Sequence, residues 1–333
     1  MRILLTPNLP RSVRALAEEM CPPGCTLTIR APSHPDYEAD LAIADCLLGL
    51  PRARMDAAFF ARAPRLTLIQ LMRAGHELID LAAAAHAGVR VATVGETTSA
   101  IVAEHCLMMM LAMCRRLRWQ HEAVVTGGWR IAKPWQLPSG DVDSVPEMSF
   151  DGLDGRTLGL LGLGAIGLRV ARLARAFGMT VQGLAHRPGE SEREGIPLVS
   201  LPTLLATSDV VSLHLRLTAG TTNILDKAAL AQMKRGAYLV NTARGELVDE
   251  VALADALASG HLAGAALDTL HTEPPASDHP LLAMPNVLLT PHTAWLTTTS
   301  WQRTLAFAFG NVERLQRGAP LEAEVGQSRP GLD

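Results

Sequence analysis

Three short segments carry side chains that could reduce a carbonyl. They read Val240-Asn241-Thr242-Ala243-Arg244-Gly245, Asp268-Thr269-Leu270-His271-Thr272-Glu273-Pro274 and Leu289-Thr290-Pro291-His292-Thr293-Ala294. Each lies at the end of a strand-like apolar run, and in open α/β sheets the carboxyl ends of strands face the ligand crevice. Hydride transfer to a 2-oxo acid asks for a cation that holds the carboxylate and polarises the carbonyl, which an arginine does with a planar fork. The alkoxide that forms asks for a proton, and histidine is the side chain that titrates near neutrality. A carboxylate beside an imidazole favours its protonated form. Arg244, His292 and Glu273 supply these types. Singly, Arg244 could cap a turn, Glu273 could pair with a surface base, His292 could be a hydrogen-bonded core histidine and Asp268 a turn residue. Their joint occurrence is what points to catalysis.

Such chemistry needs a hydride carrier, and the stretch Gly159-Leu160-Leu161-Gly162-Leu163-Gly164-Ala165-Ile166-Gly167 offers a place for one. An apolar strand precedes it, and apolar residues at helical spacing follow from Leu168 to Phe177. Strand, glycine turn and helix are the context that a dinucleotide-binding fingerprint requires. Gly162 permits the tight turn, Gly164 lets backbone approach a pyrophosphate at the helix N-terminus, and Gly167 lets helix and strand pack closely. A bare glycine turn is the ordinary alternative. An acid that accepts from the ribose hydroxyls is expected roughly twenty residues on. Ala185 stands there instead, followed by His186-Arg187. A guanidinium can grip a 2'-phosphate that a carboxylate would repel. NADP is therefore favoured over NAD, with Arg187 as a solvated loop charge the other possibility.

The 333 residues are 48% hydrophobic and 19% charged, with a formal net charge of −3 and a pI near 6.4. This balance gives no reason to expect a nucleic-acid or membrane partner. Cys21, Cys25, Cys46, Cys106 and Cys114 form a sparse, odd set that argues against a disulfide framework. The opening strand Met1–Thr6 is too short for a secretory core, and the apolar run Cys106–Cys114 is too short to span a bilayer. A cytoplasmic location is expected. His76, His105, His214 and His271 lack close ligand spacing, so no metal site is expected.

The elements that must position these residues alternate between strand and helix. Strands are expected at Ile3–Leu5, Asp45–Leu50, Leu66–Leu71 and Arg90–Ala92, with helices at Arg11–Met20 and Met55–Ala63. A helix is expected from about Ser99 to Leu117, and an irregular surface loop over Trp119–Asp154. A second α/β unit begins at Leu158, with further strands at Val210–Leu213, Ala237–Asn241, Gly264–Leu267 and Val287–Leu289. A helix then runs from about Thr297 to Leu315, and the polar tail from Gln316 ends loosely.

From roughly Ile43 to Leu321 the chain resembles the D-isomer-specific 2-hydroxyacid dehydrogenase family. The resemblance rests on Gly75-His76-Glu77-Leu78-Ile79-Asp80-Leu81, Val102-Ala103-Glu104-His105, the glycine stretch, Asn241-Thr242-Ala243-Arg244-Gly245, Thr272-Glu273-Pro274 and Pro291-His292-Thr293, in that order. It implies two doubly wound parallel-sheet α/β domains. A Rossmann cofactor domain (99–296) is inserted into a discontinuous, flavodoxin-like substrate domain (1–98 and 297–333), usually in a homodimer. It further implies that Arg244 binds the substrate carboxylate and carbonyl, that His292 is the general acid/base, and that Glu273 is its partner. Asp268 would hold the nicotinamide carboxamide, and Thr242 and Ala243 would line the nicotinamide pocket. His214 and Leu215 would lie along the cofactor, and the backbone of Ala74-Gly75 would complete the carboxylate site. Arg216 stands where the family often has proline, and Met72-Arg73 where it often has a small or polar residue. Glu77 stands where the family often has aspartate. The activity implied is NADPH-dependent reduction of a small 2-oxo acid such as glyoxylate or hydroxypyruvate. An NAD-linked dehydrogenase of a larger D-2-hydroxy acid and a nicotinamide-sensing scaffold without catalysis are the alternatives.

Overall fold

Short apolar runs without alternation form strands buried on both faces, the pattern of a parallel sheet covered by helices. The computed structural model describes residues 1–6, 9–49, 53–127, 150–187 and 189–326. The chain divides into two compact units, one formed by Met1–Thr98 with the chain from Leu296 onward, the other by Ser99–Trp295.

The first unit holds strands β1 (Arg2–Leu5), β2 (Thr26–Ile29), β3 (Cys46–Gly49), β4 (Leu68–Leu71) and β5 (Arg90–Ala92). They are parallel in the spatial order β2-β1-β3-β4-β5, which is the flavodoxin-like order. The second unit holds β6 (Thr157–Leu161), β7 (Thr180–Leu184), β8 (Glu192–Arg193), β9 (Ile196–Val199), β10 (Val210–Leu213), β11 (Tyr238–Asn241), β12 (Gly264–Leu267) and β13 (Val287–Leu289). Its order is β13-β12-β11-β10-β6-β7-β9-β8. The chain builds β7 and β9 to one side of β6 and then β10 to β13 to the other, so the winding reverses between β6 and β10, as in a dinucleotide-binding sheet.

The register matters most for function. Leu161, Leu213, Asn241, Leu267 and Leu289 are successive cross-strand partners and the last residues of their strands. Gly162, His214, Thr242, Asp268 and Thr290 therefore all leave the sheet along one flush edge. Alternate strand residues fill opposite faces. Leu158, Leu160 and Val240 pack with Cys106, Met109, Met110 and Val170 of the helices Ser99–Cys114 and Ala165–Ala176. Leu161, Leu213 and Leu239 face Leu204, Leu230 and Leu253 on the other side.

Several elements differ from the sequence expectation. Helix Ser99–Cys114 stops three residues early because Arg116 turns left-handed (φ 48°), and a second helix restarts at Leu117–Val125. The expected loop over Trp119–Asp154 is thus helical at its start, where Arg118 and Glu122 pair at i,i+4 (2.9 Å) and the Trp119 and Phe150 rings meet at 6.3 Å. Residues 126–127 and 150–154 are irregular as expected, and 128–149 lie outside the described residues. The tail does not end loosely as far as Gly326. A strand β14 (Glu324–Val325) pairs antiparallel with β5, and Glu324 takes both prongs of the Arg90 guanidinium at 2.6–2.8 Å. The sequence expectation also omitted β2, β8 and β9, which are edge or near-edge strands whose partial exposure breaks the apolar run.

The glycine turn dictates a stability test. A Cβ at Gly167 would stand 2.1 Å from the Gly162 carbonyl oxygen, whereas one at Gly164 would meet nothing within 4 Å. Gly167→Ala should lower the melting temperature through a clash costing about 1–3 kcal/mol, and Gly164→Ala should leave it nearly unchanged. Equal melting of the two variants would show that helix and strand are not in that close contact.

Candidate active site

Each side chain of the site hangs from the flush strand edge. At the end of β11, the buried Asn241 side chain donates to the Arg244 carbonyl (2.7 Å) and accepts from the Ala243 amide (3.0 Å). This Asx-type turn fixes the segment that presents Arg244, whose Nη1 donates to the Ala243 carbonyl at 2.7 Å. Thr242 is buried and Ala243 half-buried.

At the end of β12, Asp268 is 2% exposed. Its Oδ1 accepts from the Thr290 hydroxyl (2.5 Å) and the Thr293 amide (2.9 Å), and its Oδ2 accepts from the Ala294 amide (2.9 Å). One carboxylate thereby ties down the chain on both sides of His292, which adopts a left-handed backbone, φ 54°. For a non-glycine residue that conformation is held only when its surroundings over-determine it. His105, from helix Ser99–Cys114, lies 3.1 Å from the Thr290 hydroxyl and 3.7 Å from Asp268. Because that hydroxyl already donates to Asp268, the His105 Nε2–H must donate to it. Burial pushes the His105 imidazole below its ordinary range, and the Asp268 carboxylate opposes that push.

His292 Nδ1 stands 2.7 Å from Glu273 Oε2. Glu273 Oε1 accepts from the Leu270 amide at 3.1 Å, which aims the carboxylate. The pair lies toward the surface, at 41% and 39% side-chain exposure. With Nδ1 engaged by a carboxylate, Nε2 is the nitrogen left to exchange a proton with a ligand.

The glycine turn lies at the winding reversal. Gly162 is left-handed (φ 106°), and a Cβ there would meet the His214 carbonyl oxygen at 2.6 Å, so this close approach of β6 to the end of β10 needs glycine. Gly164 caps helix Ala165–Ala176 and borders open space. Ala165 and Ile166 form the first helical turn, half-buried. The Leu163 side chain is buried over Gly183 of β7, so Leu163 offers a ligand only its backbone. Beyond β7, Ala185 is half-buried, and His186 and Arg187 are exposed. The open cradle at Gly164, on the N-terminal end of a 12-residue helix, fits a dinucleotide pyrophosphate.

Below the turn runs a thiol–hydroxyl–imidazole chain. Cys106 Sγ is 3.3 Å from Ser212 Oγ, which is 3.0 Å from His214 Nε2. Desolvation pushes the Cys106 thiol up to about 12 and the His214 imidazole down to about 4. Ala74 (exposed) and Gly75 (buried) belong to the other unit, just past the end of β4. Among the described residues no group of three or more His, Cys, Asp or Glu side chains could hold a metal ion.

Residue types alone passed over His105, Thr290 and Asn241. His105 sits inside one of the resembling segments, and an asparagine two residues before an amide it can bond is an Asx-turn signal. Thr290 carries no comparable signal.

With this geometry in view, comparison with known proteins decides the family. Residues 107–294 match the D-isomer specific 2-hydroxyacid dehydrogenase NAD binding domain. The chain is 37% identical to a glyoxylate reductase of Aeropyrum pernix over 85% of this chain and 84% of that one. It is 32% identical to a hydroxypyruvate reductase of Blautia hydrogenotrophica over 80% and 81%. The chain belongs to the D-isomer-specific 2-hydroxyacid dehydrogenase family. A D-lactate dehydrogenase of Aquifex aeolicus, solved with NAD and lactic acid, superposes with a TM-score of 0.80 at 28% identity, over 95% of this chain and 96% of that one. As a 2-hydroxyacid dehydrogenase the protein is an oxidoreductase that uses a nicotinamide cofactor.

The suppressed His214 imidazole has a consequence for stability. Its folded pKa lies below the ordinary value of 6.5, so between pH 6.5 and about 4 the unfolded chain binds the extra proton. Stability should fall as pH drops through that window, and His105, shifted in the same direction, adds to the fall. Urea unfolding across this range should show a shallower loss for His214→Gln than for wild type. An unchanged slope would contradict the assignment.

Proposed function

We propose that this dehydrogenase reduces a small 2-oxo acid, glyoxylate or hydroxypyruvate, to the corresponding 2-hydroxy acid with NADPH, of D configuration where C2 becomes a stereocentre. The observation that carries the reading is the 2.7 Å bond between His292 Nδ1 and Glu273 Oε2, on the strand edge that also presents Arg244. The nicotinamide, when bound, supplies the hydride. Arg244 grips the substrate carboxylate and draws charge from the carbonyl with a fork that a point charge cannot reproduce. His292, its Nδ1 proton shared with Glu273, gives the Nε2 proton to the alkoxide oxygen and takes it back in the reverse direction. Asp268 holds the nicotinamide carboxamide, Thr242 and Ala243 line its pocket, and Ala74-Gly75 offer backbone to a substrate carboxylate.

The preference for NADPH is supported by the end of β7, where no carboxylate follows Leu184 and exposed His186 and Arg187 do, with Arg216 exposed beyond β10. Assembly as a homodimer is supported by Met108, Leu117, Trp119, Val124 and Val125, which leave apolar surface exposed on the helices Ser99–Cys114 and Leu117–Val125. A cytoplasmic location is supported by five unpaired cysteines, three of them buried.

Initial rates with glyoxylate and hydroxypyruvate, each with NADPH and NADH, test the reading. Faster turnover with NADPH is expected, and His292→Ala should remove most of it while cofactor affinity holds. Preference for NADH would overturn the cofactor assignment. Turnover of neither acid would move the substrate to a larger 2-oxo acid, and unchanged kcat in His292→Ala would remove the histidine from the chemistry. Arg244→Lys should raise KM and lower kcat together. A change in melting temperature alone would make Arg244 structural.

A further inference from the structure

Outside the acid/base pair, one carboxylate holds the segment on which that pair depends. Glu250 is the first residue of helix Glu250–Ala258, behind the Asp249 cap, and its side chain is 13% exposed. A carboxylate so nearly buried is costly unless its oxygens are bonded. Both are. Oε1 accepts from the His271 backbone amide at 2.8 Å, and Oε2 lies 3.1 Å from His279 Nε2. His279 Nδ1 is buried with no hydrogen-bond partner. A proton there would have nothing to accept it, so the ring donates from Nε2, toward Glu250.

Residues 271 and 279 are the two shoulders of the segment that carries Glu273. The first shoulder is fixed again by His271 Nε2, which donates to the Val248 carbonyl at 2.8 Å. From beneath, the segment rests on the Arg244 turn. A Cβ at Gly245 would stand 2.1 Å from the Leu270 carbonyl carbon and 2.4 Å from the His271 nitrogen, so only glycine lets the two loops touch. Glu273 itself is 39% exposed, and burial does not hold it. Its placement comes from the backbone it hangs on and from the Leu270 amide.

We propose that Glu250 is a positioning residue for catalysis, its two oxygens clamping both shoulders of the 271–279 segment so that Glu273 meets His292 Nδ1 and the segment stays seated on the Arg244 turn. This rests on the dehydrogenase reading of the His292–Glu273 pair. Glu250 touches neither substrate nor cofactor and acts through Glu273.

A double-mutant cycle tests it. Glu250→Ala alone should lower kcat about 10–100-fold, the scale of a roughly 1 Å misplacement, with cofactor affinity changed by less than about twofold. In a Glu273→Gln background the same substitution should cost less than about threefold, because the group it positions is already disabled. Glu250→Gln keeps an oxygen for the His271 amide but turns an amide N–H toward His279 Nε2, so it should lose less of the rate than Glu250→Ala without restoring it. If Glu250→Ala does not fold, the cycle is run with Glu250→Gln, whose smaller loss should again vanish in the Glu273→Gln background. Equal losses in both backgrounds, or no loss of kcat, would overturn the proposal. If the wild-type enzyme reduces no 2-oxo acid, the functional reading fails separately, and a crystal structure of the Glu250 variant decides the clamp. Glu273 beyond about 3.5 Å from His292 supports it, and an unchanged 2.7 Å contact overturns it.

Discussion

The Asp268 carboxylate accepts three hydrogen bonds from the chain within five residues, from the Thr290 hydroxyl and the Thr293 and Ala294 amides, and His292 is held between those anchors. A single buried hydrogen bond adds only about 0.5–1.5 kcal/mol net, more when one partner is charged. Three of them on one carboxylate, backed by His105, are enough to hold a left-handed histidine whose backbone costs about 1–3 kcal/mol. The His292 ring is aimed by a knot in the backbone, and Glu273 then has only to orient a ring already in place. In the family resemblance Asp268 belongs to the nicotinamide carboxamide. The bonds it makes within the chain give it a task of its own, the holding of the His292 backbone.

That knot works because of the sheet above it. Parallel strands in near-perfect register deliver five consecutive loops to one edge, and each loop contributes a different part: the glycine turn after β6, His214 after β10, the Arg244 turn after β11, Asp268 and Glu273 after β12, and His292 after β13. Two contacts between loops are so close that they require glycine, Gly162 against His214 and Gly245 against Leu270 and His271. These glycines are packing constraints as much as conformational ones. They let neighbouring loops touch, so the arginine and the glutamate share one rigid base.

Much of this was legible in the residues. The fully apolar strands, the glycine turn with its flanking strand and helix, and the Arg244, Glu273 and His292 types could be read directly, because buried parallel strands and phosphate-binding turns leave dense local signals. Edge strands such as β2, and β14 at Glu324–Val325, left weak ones, since they are held by pairing with another strand rather than by their own apolar content. The helix Leu117–Val125 leaves no such signal because its start is set by the left-handed Arg116, a backbone state that an arginine in the sequence does not announce. His105 and Glu250 were invisible as parts of the site. Each reaches it across many residues, His105 to Thr290 and Glu250 to His279, and such pairs have no spacing to read.

The chemistry available and the class of sheet are written in the residues: which side chains could bind a carboxylate, move a proton or accept a pyrophosphate, and that apolar runs at these intervals build parallel sheets. Those properties belong to residue types and short-range periods. Tertiary structure alone decided which histidine nitrogen faces the carboxylate, which carboxylate anchors the loop and which aims the ring, and which glycines are contacts. The reason is that hydrogen-bond direction and burial depend on groups brought together by strand register, and no local pattern in the chain encodes that register.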